Sequence, residues 1–287
     1  ALRGTRPPHP KGGGQDMNNR RRTTLLLLAA ACLLLAAAAL AGASLPETAF
    51  AADFSRKNLP PCPAFPFGTD WMGRDMLKRT LAGLSLSIRV GALTACVSAV
   101  LALALGTASA LLGGWVDGAV GWLIDLVMGV PHILLILLIS LACGRRFWGV
   151  TAGVALTHWP ALARLVRGEV LQLKGAPWLR MSRRLGVSRR KLLNHLLPHL
   201  LPQFLTGLIL QFPHAILHEA SVTFLGFGLS PDQPAIGVIL EESMAYLTTG
   251  RWWLALFPGL ALVGVVLLFA WMGERLRLLL APATAQE

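Results

Sequence analysis

Long uncharged apolar runs dominate the hydrophobic pattern of this chain, and short polar segments separate them. A helix needs about 20 consecutive apolar residues to cross the hydrocarbon core of a bilayer, and several runs approach that length. A soluble protein with a large core would not repeat uncharged stretches of this length. The pattern therefore predicts an all-α integral membrane protein with about six transmembrane helices. The predicted spans are residues 24–45, 84–112, 120–143, 148–165, 200–229 and 252–268.

The composition agrees with this fold class. Hydrophobic residues make up 54% of the chain and charged residues 14%, whereas a soluble domain usually carries about 25% charged residues. The formal net charge of +12 would also suit a nucleic-acid-binding protein. However, the Lys and Arg residues cluster between apolar runs, as the positive-inside rule predicts. We therefore expect membrane lipid, and no nucleic acid, as a partner.

Charge also predicts the topology. Three arginines at residues 20–22 precede the first span and should hold the N-terminus in the cytoplasm. Counting crossings from there returns residues 164–198 to the cytoplasm, and that segment is rich in Lys and Arg with a single acid, Glu169. The polar loop that follows the fifth span, with Asp232, Glu241 and Glu242, falls outside. Both termini are therefore expected in the cytoplasm.

This topology divides the chain into segments. Residues 1–23 are predicted to be a disordered cytoplasmic N-terminus; Met17 is a candidate native start, so residues 1–16 are left out of the fold prediction as a non-native extension. The remaining predicted segments are a first transmembrane helix (24–45), an extracytoplasmic segment (46–83), a core transmembrane domain (84–280) with a cytoplasmic loop (164–198), and a C-terminal tail (281–287).

Several kinds of chemistry lack their usual motifs. The four cysteines form no CxxC pair, so neither a thiolate zinc site nor a redox motif is predicted. No GxxxxGK[ST] phosphate loop occurs, so this chain should not hydrolyse ATP. The H-E-x-x-H pattern, a nucleophile elbow and a catalytic paired-carboxylate motif are also missing. We therefore expect no enzyme activity and no cofactor on this chain.

Two histidines in the predicted fifth span are candidate metal ligands. His214 and His218 are four residues apart on one helix face, and Glu219 is adjacent. Two neutral imidazoles at this spacing can share a divalent transition metal. They could instead bond neighbouring helices or line a wet cavity. His132 and His158 are lesser candidates, since such residues more often pack or bridge helices.

A second candidate lies in the basic 164–198 segment, where two short helices are predicted between Gly175 and Lys191. Trp178, Met181 and Leu185 fall at i, i+3 and i+7 and form one apolar face. Gly186 suits the end of that helix. Such a helix could fit the groove of a partner protein or rest on anionic lipid headgroups. The pattern alone does not choose between these roles.

Three ordered motifs resemble a known transporter family. Phe67–Asp75 is similar to the Gly-Thr-Asp-x-x-Gly-Arg-Asp signature of C-type permeases in the peptide/opine/nickel group of ABC importers. Gly113–Asp117 resembles their Gly-Gly-x-x-Asp turn, and Ser221–Leu229 resembles their Ser-Phe-Leu-Gly-Leu-Gly stretch. The resemblance covers the chain from about Phe67 to its C-terminus.

The basic segment resembles the loop by which these permeases dock onto their ATPases. Gly186, followed after a spacer by Pro198, fits that loop. Its usual opening Glu-Ala-Ala is replaced here by Arg180, Met181 and Ser182. The resemblance implies ATPase-coupling roles for four residues, which are Trp178, Met181, Leu185 and Gly186.

The resemblance also implies an assembly and a mechanism. The chain would have the type I ABC importer permease fold and form half of a pore in the bacterial inner membrane. Its partners would be a second, different permease subunit, two ATPase subunits that bind ATP and Mg²⁺, and an extracytoplasmic binding protein. The pore would then alternate between outward-open and inward-open states.

The motifs give mixed indications about the cargo. The His214–His218 pair, placed before the Phe-Leu-Gly stretch, resembles the nickel branch, as does Thr157-His158-Trp159. Glu219-Ala220-Ser221 instead resembles the peptide branch. We expect nickel or a related divalent metal, free or chelated, with di- or oligopeptides as the alternative. A secondary transporter or channel is the alternative from another class, because Asp125 and Glu219 are ionisable residues within predicted spans.

Overall fold

The computed structural model describes residues 13–177, 181 and 189–280, with side chains for 21–46, 48–177, 181 and 200–280. These residues are mainly helical, and no β-strand occurs among them. The all-α prediction is therefore confirmed. The helices are α1 (Gly13–Ala43), α2 (Met76–Leu112), α3 (Gly114–Gly129), α4 (His132–Ala142), α5 (Phe147–Gly175), α6 (Arg189–Phe224), α7 (Ile236–Leu247) and α8 (Trp253–Leu280).

Four of these helices are long and apolar enough to cross a membrane, namely α1, α2, α6 and α8. The α3–α4 pair adds a fifth span if the two helices together make one broken crossing. The predicted fourth span corresponds to α5, which does not meet that test. The reason is visible in its sequence, because Thr157, His158 and Pro160 interrupt its apolar stretch.

The predicted third span is wrong as a single helix. Its chain bends by 96° between α3 and α4. Val130, between the two helices, has an extended backbone with φ −90° and ψ 137°. Pro131 explains the break, since it lacks an N–H donor and its ring forces the preceding residue out of the helical conformation.

The loop predicted after the fifth span contains a helix. The segment was expected to be polar because of its acids, yet α7 occupies most of it. Ile236, Val238 and Ile239 of α7 are buried in the core. Their burial against α6 and α8 stabilises the helix, and Glu242 remains on its less buried side.

Helix boundaries elsewhere also exceed the predictions. α1 begins at Gly13, inside the segment predicted to be disordered, because an existing helix extends one residue at a time at little cost. α2 begins at Met76, inside the predicted extracytoplasmic segment, and the Asp75 side chain caps it by accepting hydrogen bonds from the Leu77 and Lys78 N–H groups. Before it, residues 46–75 contain two short 3₁₀ turns, Glu47–Phe50 and Phe54–Arg56.

Helices occupy both ends of the predicted cytoplasmic segment 164–198. α5 continues to Gly175 and α6 begins at Arg189. The two short helices predicted between Gly175 and Lys191 fall mostly outside the described residues. The predicted tail, 281–287, lies outside them as well.

Helix α2 is the centre of the packing, and it contacts α1, α5 and α6. Glycines permit its closest approaches, since small residues let helix backbones meet. A Cβ at Gly106 would lie 2.6 Å from the Ala163 carbonyl oxygen of α5, and one at Gly91 would lie 2.7 Å from Ile216 Cγ1 of α6.

A buried apolar cluster joins α4, α5 and α6. It includes Ile136 of α4, Val150 and Val154 of α5, and Ala215 of α6. Each of these three helices also carries a histidine within about one turn of the cluster.

Candidate functional site

Three histidines from three helices meet beside this apolar cluster. They are His132 at the start of α4, His158 in α5 and His218 in α6. The ring centroids are 4.6 Å apart for His132 and His158, 4.6 Å for His132 and His218, and 5.1 Å for His158 and His218. One ring nitrogen from each residue lies within 4.8 Å of the other two. The three imidazoles could therefore hold one metal ion.

The bond between His158 and its own helix fixes the ring. His158 Nδ1 lies 2.8 Å from the Val154 carbonyl oxygen. A carbonyl only accepts hydrogen bonds, so Nδ1 carries the proton and Nε2 keeps its lone pair. Nε2 is buried without a hydrogen-bond partner among the described residues. The main chain of His158 is also held, because Gln211 Nε2 of α6 donates to its carbonyl at 2.8 Å.

The break before α4 positions His132. Because the chain turns at Pro131, the first residue of α4 points its ring toward α5 and α6. His132 Nε2 lies 3.5 Å from the Thr157 hydroxyl. That hydroxyl already donates within α5, toward the Gly153 and Val154 carbonyls.

Glu219 is adjacent to His218 in the sequence, but its side chain contacts different residues. Its side chain is fully buried and accepts hydrogen bonds from the Ser87 hydroxyl of α2 at 2.7 Å and the Thr223 hydroxyl at 3.1 Å. The carboxylate therefore bridges α2 and α6. His214 is exposed in this chain. The predicted metal set of His214, His218 and Glu219 thus shares one residue with the histidine group.

The Phe67–Asp75 signature forms a loop organised by one carboxylate. Asp70 accepts hydrogen bonds from the Met72 and Arg74 N–H groups at 2.9 and 2.8 Å. It also pairs with the Arg74 and Arg79 guanidinium groups at 2.6 and 2.8 Å. Glu242 of α7 reaches the same two arginines at 3.3 and 3.0 Å. The signature therefore joins the 46–75 segment, α2 and α7.

The Gly-Gly turn is a tight connection that an ion pair supports. Gly113 and Gly114 have φ of 62° and 54°, which favour glycine. The Asp117 carboxylate accepts hydrogen bonds from Arg167 Nε at 2.6 Å and Nη2 at 2.7 Å, and Ser109 also donates to it. This bidentate pair ties the start of α3 to α5.

The Phe-Leu-Gly stretch ends α6 and seats it on α7. Gly226 has φ of 79°, and its N–H donates to the Thr223 carbonyl at 2.9 Å, as at many helix ends. A Cβ at Gly228 or Gly237 would lie 2.2 or 2.6 Å from Thr223 atoms. Gly228 of the motif and Gly237 of α7 therefore permit close packing, whereas Gly226 suits the backbone conformation that ends the helix.

The coupling residues are described only in part. Met181 is 62% exposed. Trp178, Leu185 and Gly186 lie outside the described residues. Their ATPase-coupling roles stay a prediction.

Sequence reasoning underrated His132 and His158, which the fold brings to His218. One signal was available, because Pro131 directly precedes His132 and predicts a break there. The sequence also did not predict the contacts of Arg79, whose partners lie in a loop and in a helix that was not predicted. Spacing along a single helix could not show either contact.

Comparison with known proteins identifies relatives over most of the chain. Residues 100–283 match the family described as "Binding-protein-dependent transport system inner membrane component". A putative peptide permease protein of Brucella suis is 33% identical over 74% of this chain and 70% of its own length. A probable D,D-dipeptide transport system permease protein of Escherichia coli is 30% identical over 81% and 78%. An oligopeptide transport system permease protein of Mycobacterium bovis is 30% identical over 84% and 83%.

Proposed function

Because this chain belongs to the family of inner membrane components of binding-protein-dependent transport systems, we propose that it is the permease subunit of a peptide importer. It is an ABC importer permease of the peptide/nickel group, a multi-pass inner-membrane transport subunit and not an enzyme. The observation that carries the peptide assignment is the naming of its relatives. Those of Brucella suis, Escherichia coli and Mycobacterium bovis are described as peptide, dipeptide and oligopeptide permeases.

This proposal reverses the order of cargoes drawn from the sequence. Nickel was the main prediction and peptides the alternative, yet the relatives described above favour peptides. The Glu219-Ala220-Ser221 resemblance to the peptide branch points the same way. Glu219 bonds Ser87 and Thr223 inside the protein, which supports a structural role for its side chain. Family membership also argues against a secondary transporter or channel.

The proposal includes the partners that such a permease needs. A second permease subunit would complete the pore, an extracytoplasmic binding protein would deliver peptide, and two ATPases would bind ATP and Mg²⁺. Both termini would lie in the cytoplasm, as the positive-inside rule predicts. The Asp70–Arg79–Glu242 cluster would then lie on the extracytoplasmic side of the membrane, and the Asp117–Arg167 pair on the cytoplasmic side.

The Asp117–Arg167 ion pair suggests how motion would pass through the subunit. The segment between α5 and α6 would receive the closure of the ATPases, on the predicted topology. Since Arg167 binds Asp117, a shift of α5 would carry α3 with it. The break at Pro131 would let α3 move relative to α4. Such rigid-body movement suits alternating access.

Uptake by cells tests the cargo directly. The chain is expressed in an amino-acid auxotroph that lacks its own peptide importers. The partner permease, the ATPases and the binding protein that the same genome encodes are expressed with it. We expect growth on a dipeptide that supplies the required amino acid, and uptake of the labelled peptide. A strain carrying an ATPase subunit inactivated in its phosphate-binding loop is the control, and it should not grow on the dipeptide.

The same cells are tested for uptake of radioactive nickel, with and without added free histidine as a chelator of the nickel. Nickel uptake without peptide uptake would overturn the peptide proposal and restore the metal prediction. Peptide uptake that persists with the inactive ATPase would contradict ATP-driven import.

A further inference from the structure

We propose that His132, His158 and His218 form a binding site for one divalent transition-metal ion, of the class that includes Zn²⁺, Co²⁺ and Ni²⁺. This inference concerns binding to the protein and goes beyond the proposed cargo. It does not depend on whether the transported molecule is a peptide.

The first support is the geometry of the donor atoms. Zn²⁺ binds imidazole nitrogen at about 2.0–2.1 Å, so two ligands of a tetrahedral ion lie about 3.4 Å apart. The three ring nitrogens already lie within 4.8 Å of one another. Small rotations of the rings about their side-chain bonds would therefore close the site.

The second support is the hydrogen bonding of His158, which is independent of that distance. Metal-bound histidines almost always donate their other ring N–H to a carboxylate, a carbonyl or water. His158 Nδ1 donates in this way to the Val154 carbonyl at 2.8 Å. Its Nε2 is buried with no partner among the described residues, and the whole residue is only 8% exposed. A buried acceptor without a partner is costly, and a metal ion would satisfy it.

The third support is the chemistry of the donor set. Three imidazoles favour Zn²⁺, Co²⁺, Ni²⁺ or Cu²⁺ over Mg²⁺ and Ca²⁺, which prefer oxygen. The carboxylate of Glu219 is not part of this donor group, and it accepts hydrogen bonds from Ser87 and Thr223 instead. A tetrahedral ion would keep its fourth position open to water or another small ligand.

The site differs in a testable way from the pair that the sequence suggested. His214 lies one turn before His218 and is exposed. It is near enough to interact electrostatically with all three histidines, but it is not one of the three whose ring nitrogens lie within 4.8 Å of one another. The two hypotheses therefore make opposite predictions for two single substitutions. His132→Ala removes a ligand only in the three-helix site, and His214→Ala removes one only in the single-helix pair.

Cobalt titration of the purified permease pair distinguishes them. The complex of this chain with its partner permease carries an affinity tag without histidine and is stripped with a chelator. Co²⁺ is then added while visible absorption reports tetrahedral coordination, and equilibrium dialysis with Zn²⁺ gives the number of ions bound. We expect a saturable site in the wild type and in His214→Ala, with similar affinity.

We expect His132→Ala, His158→Ala and His218→Ala to weaken binding beyond the roughly 10- to 100-fold that loss of a supporting partner costs. Size-exclusion profiles identify variants that fail to fold. For these, the milder substitutions His132→Gln and His218→Gln replace the alanines. Zn²⁺ should also raise the thermal midpoint of the wild type and of His214→Ala, but not of the other variants.

Two results would overturn the proposal. One is the absence of a tetrahedral cobalt spectrum in the folded wild-type complex. The other is loss of binding in His214→Ala with retention in His132→Ala. Neither readout involves transport, so failure of this site leaves the peptide proposal standing, and failure of peptide uptake leaves the metal site standing.

Discussion

The Arg79 guanidinium lies 2.8 Å from the Asp70 carboxylate, and the two side chains are only 4% and 3% exposed. Glu242 of α7 contributes a second carboxylate to Arg79 at 3.0 Å. One buried cation therefore joins the signature loop, the first turn of α2 and α7. A buried pair of this kind depends on both members, because removal of one leaves the other charge without compensation.

We predict that Arg79→Met strongly destabilises the protein. It removes the more deeply buried of the two arginines that Asp70 and Glu242 share and leaves Arg74 to pair with both carboxylates. Loss of one partner from a buried pair costs up to about 3–5 kcal/mol. The thermal midpoint of the purified complex in detergent should fall clearly. Peptide uptake should fall with it, since fewer complexes assemble.

The matched control is Arg56→Met in the same segment. Arg56 pairs with Asp53 at 3.1 Å, but the two side chains are 58% and 45% exposed. The Ser55 hydroxyl donates to Asp53 and is the main reason that the pKa of that carboxyl is lowered, while the charge of Arg56 contributes less. Exposed pairs contribute little, so the thermal midpoint should hardly change. Equal losses from the two substitutions would contradict the distinction.

We predict that Glu219→Gln keeps transport and Glu219→Ala loses stability. Gln preserves the shape and one acceptor oxygen for Ser87 or Thr223. Ala leaves both hydroxyls without their partner, at about 1–3 kcal/mol for a buried unsatisfied group. Uptake assays and thermal midpoints compare the two. If Gln alone abolished uptake in a stable complex, Glu219 would act as a charged group in transport.

We predict that Gly106→Ala disrupts the contact between α2 and α5. Its Cβ would lie 2.6 Å from the Ala163 carbonyl oxygen, and overpacking of this kind costs about 1–3 kcal/mol. Gly118→Ala is the control in another helix, because nothing lies within 4 Å of its Cβ position. That control should be neutral or slightly stabilising, by up to about 1 kcal/mol. A larger loss from Gly118→Ala would contradict the packing.

We predict that Met181→Asp uncouples ATP hydrolysis from peptide uptake. Met181 is 62% exposed in this chain, and a charge there would be buried if an ATPase groove covers it. Met181→Leu keeps the apolar contact and should retain coupling. ATPase activity and uptake are measured together in reconstituted vesicles. Normal coupling in Met181→Asp would remove Met181 from the docking surface.

The sequence determined the fold class, the positions of the main spans and the family. Hydrocarbon imposes a simple rule on composition, so α1, α2, α6 and α8 could be recognised from their apolar lengths. The three motifs could be recognised for a different reason, since each is a local turn or helix end. At position 113, for example, the backbone has φ of 62°, a conformation that favours glycine.

The tertiary structure decided what meets across helices. The break at Pro131 gave a bend of 96°, and that angle brought His132 to His158 and His218. Nothing in the spacing of single residues encodes such a crossing, because it depends on how whole helix faces pack. Glu219 makes the same point: its neighbour in sequence is His218, but its partner in space is Ser87, 132 positions away.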